Sequence, residues 1–458
     1  MTRQDAHMSI STISPNFTRS FLRLFLPAAT QNLFFNVIGL VDMLMIGQLG
    51  DAPVAAMGMA GQFFFLLNLT LFGTASGSAM FAAQYWGARD YTNLRRVLGL
   101  CLMIGVGAAG VFTLVALLAP DWVISLYTQD PIVTAQGVAY LRIIGWSYLF
   151  TAVTISFVTV LRATGDTRLP MLVSVVFLTL NVLLDYALIF GKFGLPEMGI
   201  RGAATGTVIS RLLECLVLLL LLYARRSPIA GSVSQFFRLD LGFISHHLAL
   251  VFMVFLNEFV WALGMNAYNA IVARMGTSVY AAFSVTGSIM GLGLFYTMAC
   301  AVTSSILVGH AIGAGEKEQA YKIAGRILQL SAGGAVIIGA LLVAARGPLL
   351  DLYQVSAQAR ADAAAMILVM GFTLGMRGLD AMFIVGILRA GGDTRFSTLL
   401  DVGSIWLVGV PLLALVVFVL HGPVEWVSWA IIGESLAKCL LGFQRYFSRR
   451  WIRNITAG

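Results

Sequence analysis

The chain is predicted to be an all-α integral membrane protein, with twelve transmembrane helices in two parallel-repeat six-helix bundles. Three observations carry that prediction. The 458 residues are 59% apolar and 11% charged, with a mean hydropathy of +0.88, which excludes a soluble enzyme. Twelve apolar segments can be counted, most of them long enough for the roughly 20 residues a helix needs to cross a bilayer. Finally, LRATGDTR at Leu161–Arg168 returns 227 residues later as LRAGGDTR at Leu388–Arg395.

The expected spans are 21–47, 54–83, 94–118, 133–160, 169–190, 202–223, 244–272, 279–309, 323–344, 361–388, 397–420 and 426–447. Met1–Ser20 lacks an apolar core before a cleavage site and reads as a cytoplasmic tail. The stretch Tyr223–Phe243, with Arg225, Arg226, Ser227, Pro228, Gly231 and Ser232, has linker composition and divides the chain. Two further echoes support the division: Leu49–Gly61 with Met275–Gly287, and Tyr85–Gly99 with Ala311–Gly325. The expected domains are therefore an N-terminal tail (1–20), an N-lobe (21–223), a linker (224–243), a C-lobe (244–447) and a C-terminal tail (448–458). Six is an even number of crossings, so both halves enter from the same side, with substrate expected between the repeats.

The net charge of +8 does not indicate nucleic acid, because the basic residues lie in short loops between apolar segments. One set of loops and tails carries 19 Lys and Arg, among them Arg89, Arg162, Arg225, Lys317, Arg389 and Arg449, whereas the opposite set carries five. By the positive-inside rule both termini are cytoplasmic. Cys101, Cys215, Cys300 and Cys439 have neither metal nor disulfide spacing and read as small core residues. No nucleotide-binding loop, His/Cys metal cluster or nucleophile elbow occurs, so no enzyme is expected. His246 and His247 read as solvated or interfacial.

Carboxylates inside apolar segments are expensive and mark function. The first span, LPAATQNLFFNVIGLVDMLMIG (Leu26–Gly47), holds Pro27 and Asp42. In the fifth, Asn181 and Asp185 stand four residues apart and share a helix face. The sixth supplies Thr207. Two carboxylates, an amide and a hydroxyl are oxygen ligands for a hard cation. The same set suits a shared proton, since neighbouring carboxylates raise one another's affinity for it. The competing reading is structural, each carboxylate capping an irregular helix or bonding a neighbour. Pro27 removes a backbone donor, which fits a moving hinge and a static kink equally. Arg211 with Glu214, Arg377 with Asp380, and Glu434 with Lys438 have the spacing for pairing within one helix. Asp166 and Asp393 stand where they can cap the helices after the duplicated loops.

The duplicated L-R-A-x-G-D-T-R loops, the LP…GLVD pattern and NVLLDYALIFG (Asn181–Gly191) resemble the multidrug and toxin extrusion (MATE) transporters across all twelve spans. The resemblance implies a V-shaped pair of six-helix lobes and exchange of H⁺ or Na⁺ for organic cationic or polyaromatic compounds. It is strongest to the DinF-like and archaeal branch. There the residues matching Asp42, Asn181, Asp185 and Thr207 form the N-lobe cation site, and a proline matching Pro27 is a hinge. Another branch uses a C-lobe site, but Glu258 and Asp380 are shifted in register from it. They are expected, with Trp261, Met265 and Tyr268, to line a cavity, for which Met and aromatic side chains are suited. Arg162, Asp166, Arg389 and Asp393 are expected to form a cytoplasmic latch.

The expected protein is thus an inner-membrane antiporter with no cofactor beyond its coupling ion. Its expected partners are small-molecule drugs or toxins and membrane lipids, not nucleic acid, and it is expected to be a monomer. The alternative is a flippase of lipid-linked saccharides, which needs a basic cavity for pyrophosphate. A membrane-embedded enzyme would need a catalytic cluster near one interface, and none is present.

Overall fold

The computed structural model describes residues 17–353 and 355–456. Residues 1–16 of the expected N-terminal tail, and 457–458 of the C-terminal one, lie outside the described residues. Those described are helical, with turns between helices and no strand among them. The elements are α1 (Phe17–Gly47), α2 (Asp51–Gly87), α3 (Tyr91–Leu118), α4 (Pro120–Ser125), α5 (Pro131–Ala163), α6 (Arg168–Ile189) and α7 (Ile200–Ala224). After the one-turn α8 (Val233–Phe236) come α9 (Leu241–Ala273), α10 (Thr277–Gly313), α11 (Lys317–Ala344) and α12 (Arg346–Asp351). Then follow α13 (Ala357–Phe372), α14 (Leu374–Ala381), α15 (Thr394–Ser404), α16 (Val410–Ala414) and α17 (Val424–Phe447).

Among the described residues, eleven helical spans are long and apolar enough to cross a membrane; α13 with α14 and its continuation to Arg389, bent by 63°, make a twelfth when taken as one. Several helices run beyond their apolar stretches because polar residues start them. Asp90 accepts from Asn93 N at 3.0 Å to cap α3, and Asp130 accepts from Ile132 N at 2.8 Å ahead of Pro131 in α5.

The two halves differ in regularity. In the N-terminal half, α5 and α6 are unbroken. Their sequence equivalents in the C-terminal half are not. The bend falls at Thr373, whose hydroxyl bonds back to Val369 O at 2.8 Å, near Gly371 and Gly375. Wide π turns follow at Met382–Arg389, Ile405–Gly409 and Leu415–Val419, the second just before Pro411.

The chain packs into two compact units. The N-unit comprises 27–82 and 90–256; the C-unit comprises 257–456 with 17–26 and 83–89. The N-unit core is built on Leu67, Leu71, Ile124, Leu141 and Tyr148. The C-unit core is built on Ile312, Ile327, Met382, Phe383 and Trp451. Small residues bring helices close, as membrane helices require: a Cβ on Gly339 would strike the Gly371 carbonyl oxygen. All four cysteines are free and buried. His247 is buried rather than solvated: Phe243 stacks on its ring at 3.8 Å and Phe81 packs at a tilt, 3.9 Å between centroids.

A candidate cation-coupling site

The N-unit brings three of the four predicted residues, Asn181, Asp185 and Thr207, into one hydrogen-bonded group. On α6, Asn181 Nδ2 donates to Asp185 Oδ2 at 3.0 Å, as the four-residue spacing requires. The same amide reaches Thr207 Oγ1 on α7 at 3.4 Å. The approach of the two helices depends on glycine. A Cβ on Gly202 would meet the Leu188 carbonyl, and one on Gly206 would occupy the place of Asp185 Oδ1. Asn181 and Asp185 are buried and Asp42, on α1, is half-buried. Oδ1 of Asp42 and Oδ1 of Asp185 are each buried without a hydrogen-bond partner.

A bare, buried carboxylate oxygen is costly unless a proton or cation meets it. The amide and hydroxyl around it offer Na⁺ further oxygen ligands, so these residues fit either ion. Among the described residues no group of three or more His, Cys, Asp or Glu could hold a metal. Pro27 lies inside α1, ten residues after Phe17 at the start of the helix that carries Asp42.

A polar chain leads from α1 to the first duplicated loop. Arg162 donates to Gln31 Oε1, Gln31 Nε2 donates to Ser174 Oγ at 2.8 Å, and Ser174 donates to Glu214 at 2.9 Å. Arg211 closes it on Glu214 at 2.8 Å. Asp166 accepts from Leu169 N at 3.2 Å, in the capping position the sequence suggests.

The C-unit arranges its charges differently. Glu258 on α9 pairs with buried Arg389 at 2.7 Å. Tyr268, 1% exposed, donates to Glu434 Oε2 at 2.5 Å, so it is packed into the bundle. Lys438 bridges Glu434 at 2.5 Å and Asp401 at 2.8 Å. No Arg377–Asp380 ion pair forms; Asp380 accepts from Ser435 at 2.7 Å and keeps Oδ1 unpartnered. Trp261 is exposed and Met265 half-buried. Asp393 departs from the expected cap. Its oxygens face Arg445 at 2.7 Å and Arg453 at 3.2 Å, and it makes no cap bond to the start of α15. The segment carrying Arg453 lies on this second loop, through Arg453 N to Gly391 O at 2.8 Å and the buried Trp451.

Sequence reasoning missed Gln31, Ser174 and Asn257. Uncharged, they stand out from no apolar run, and only α1's contact with α6 and α9's with α15 reveal the amides. The pairing of Glu258 with Arg389 was missed for a related reason, its partners lying on separate helices.

Comparison with known proteins gives a consistent result. The family described as MatE matches residues 27–187 and 253–415. The curated protein named "Probable multidrug resistance protein NorM" of Thermotoga maritima is 24% identical over 447 residues, covering 95% of this chain and 94% of its own. "Probable multidrug resistance protein YoeA" of Bacillus subtilis is 27% identical over 419 residues, 90% of this chain and 89% of its own. Among solved structures, the Vibrio cholerae MATE transporter VcmN in its bent form matches with a TM-score of 0.85 at 20% identity, over 95% of this chain and 97% of that one.

Proposed function

The chain belongs to the MatE family of transporters, and from that premise we propose that it is a secondary active efflux antiporter, exchanging H⁺ or Na⁺ for organic cationic or polyaromatic compounds. The observation that carries this reading is that Asp42 and Asp185 each keep a buried, unpartnered carboxylate oxygen, Asp185 being bonded to the Asn181 amide, which also reaches the Thr207 hydroxyl. In the outward-open state the inward-moving ion binds there. Its charge removes the reason for a nearby cavity to hold an organic cation. Exchange follows from linkage: ion and drug must bind the two states with different affinities, or neither can drive the other. Bending of α1 at Pro27 is the proposed coupling step, since proline already omits one backbone bond there.

The proposed setting is the cytoplasmic membrane, with both termini cytoplasmic, lobes at 21–223 and 244–447, and a linker at 224–243 between them. Arg162, Asp166, Arg389 and Asp393 form the proposed latch, and Trp261 and Met265 are proposed to face substrate. Dye efflux from reconstituted vesicles, under a Na⁺ or a pH gradient imposed separately, tests the function and names the ion. Efflux driven by one gradient is expected. Translocation of a lipid-linked saccharide with no gradient-driven efflux would replace the antiporter by the flippase.

A further inference from the structure

The duplication allows the two polar networks to be compared position by position. Offsets of 226 in the first span of each half, and 227 in the later ones, pair Gln31 with Asn257, Asp42 with Tyr268, Ser174 with Asp401, Thr207 with Glu434 and Arg211 with Lys438. One bond is conserved in kind. Gln31 donates to Ser174 at 2.8 Å in the first half, and Asn257 donates to Asp401 Oδ2 at 2.8 Å in the second. The carboxylates have moved around it. Asn181 and Asp185 fall opposite Val408 and Leu412, whereas Asp401 and Glu434 are acids the first half lacks at those places.

In the second half every oxygen of those two acids is occupied. Asp401 takes Asn257 and Lys438; Glu434 takes Tyr268 and Lys438. The ammonium, on a side chain 4% exposed, lies 2.8 Å from one acid and 2.5 Å from the other. Two buried carboxylates, each also holding a neutral donor, around one compact positive charge have the composition of a monovalent-cation site whose cation is part of the chain.

We propose that Lys438 is a tethered resident cation: its ammonium permanently fills a two-carboxylate site made by Asp401 and Glu434, which without it would take a free monovalent cation or a small primary ammonium ion. The inference does not depend on where transport is coupled. Removing one partner of a buried ion pair leaves an uncompensated charge, so the emptied site should draw in a replacement. Lys438→Ala leaves a gap shaped for propylammonium, which supplies the three missing carbons and the charge. Lys438→Met fills the volume without the charge.

The test is the thermal unfolding midpoint of purified protein, titrated with propylammonium or Na⁺ at constant ionic strength against N-methylglucamine, which is too large to enter. All variants carry Asp42→Asn and Asp185→Asn, which silences the other candidate site. Lys438→Ala is expected to lose midpoint and regain it saturably with propylammonium, and in part with Na⁺. The parent and Lys438→Met should not respond. The neutral set Asp401→Asn, Glu434→Gln, Lys438→Met should fold and also not respond. A folded Lys438→Ala with no more response than its parent overturns the proposal. So does a Lys438→Ala that fails to fold with propylammonium present throughout, while the neutral set folds.

Discussion

The N-terminal and C-terminal halves share a frame and differ in what they leave unfinished. Each has a duplicated loop whose arginine turns back onto the first helix of its half: Arg162 onto Gln31, and Arg389 onto Glu258. Each links that helix to another by a side-chain amide. Yet in the first half α5 and α6 are regular helices and Asp42 and Asp185 each keep a bare carboxylate oxygen, whereas the second half is bent, carries π turns, and holds Asp401 and Glu434 saturated by Lys438 while Asp380 keeps one bare oxygen. The difference teaches that the two halves keep a common frame while their charged positions diverged, and the proposed division of labour, an ion accepted in the first half and a built-in ammonium in the second, rests on that divergence.

The largest expected effect lies in the first half. Asp185→Asn should reduce gradient-driven efflux from vesicles to the level of empty vesicles, with an unchanged elution profile; efflux near the parent level would break the contrast. Gly206→Ala comes next, because its methyl group would displace Asp185 Oδ1. Ion affinity should fall roughly tenfold, about 1.4 kcal/mol, measured by the gradient needed for half-maximal efflux. Asn181→Ala removes one bond to the carboxylate and should weaken the ion by about fivefold, in keeping with about 1 kcal/mol for a single hydrogen bond. In the second half, Glu258→Gln breaks the pair with buried Arg389. It should lower stability by about 3 kcal/mol in denaturant titration while leaving the ion gradient dependence as it was.

The smallest effect concerns the linker. Asp240, exposed and ahead of α9, is held below the usual carboxylate range by the Phe243 N–H and by Arg96. That anchoring is complete above the unfolded value, about 4, and is lost as pH falls through the depressed one. Hydrogen exchange in 227–240 should therefore quicken only in acid, and Asp240→Asn should quicken it at neutral pH too.

Much of this was legible in the sequence. A carboxylate in an apolar run stands out against its neighbours, so Asp42 and Asp185 did. The i, i+4 spacing reports a shared helix face, so the bond of Asn181 to Asp185 followed, as did that of Glu434 to Lys438. Contacts between helices leave no such periodic mark. Lys438 therefore showed its partner Glu434 but not Asp401, and Asp393 was read as a cap when arginines from α17 and the following segment claim it. The bend at Thr373 was hidden because hydroxyl and glycine residues are ordinary in membrane helices.

The central claim, that coupling resides in the N-terminal half, is tested most directly by dye efflux under an imposed ion gradient, with Asp42→Asn, Glu258→Gln and Asp380→Asn compared at equal reconstituted amounts. The expected result is loss of gradient-driven efflux in Asp42→Asn, with Glu258→Gln and Asp380→Asn still coupled. Efflux that survives Asp42→Asn but fails in Glu258→Gln or Asp380→Asn would contradict the account and move the ion to the C-terminal half.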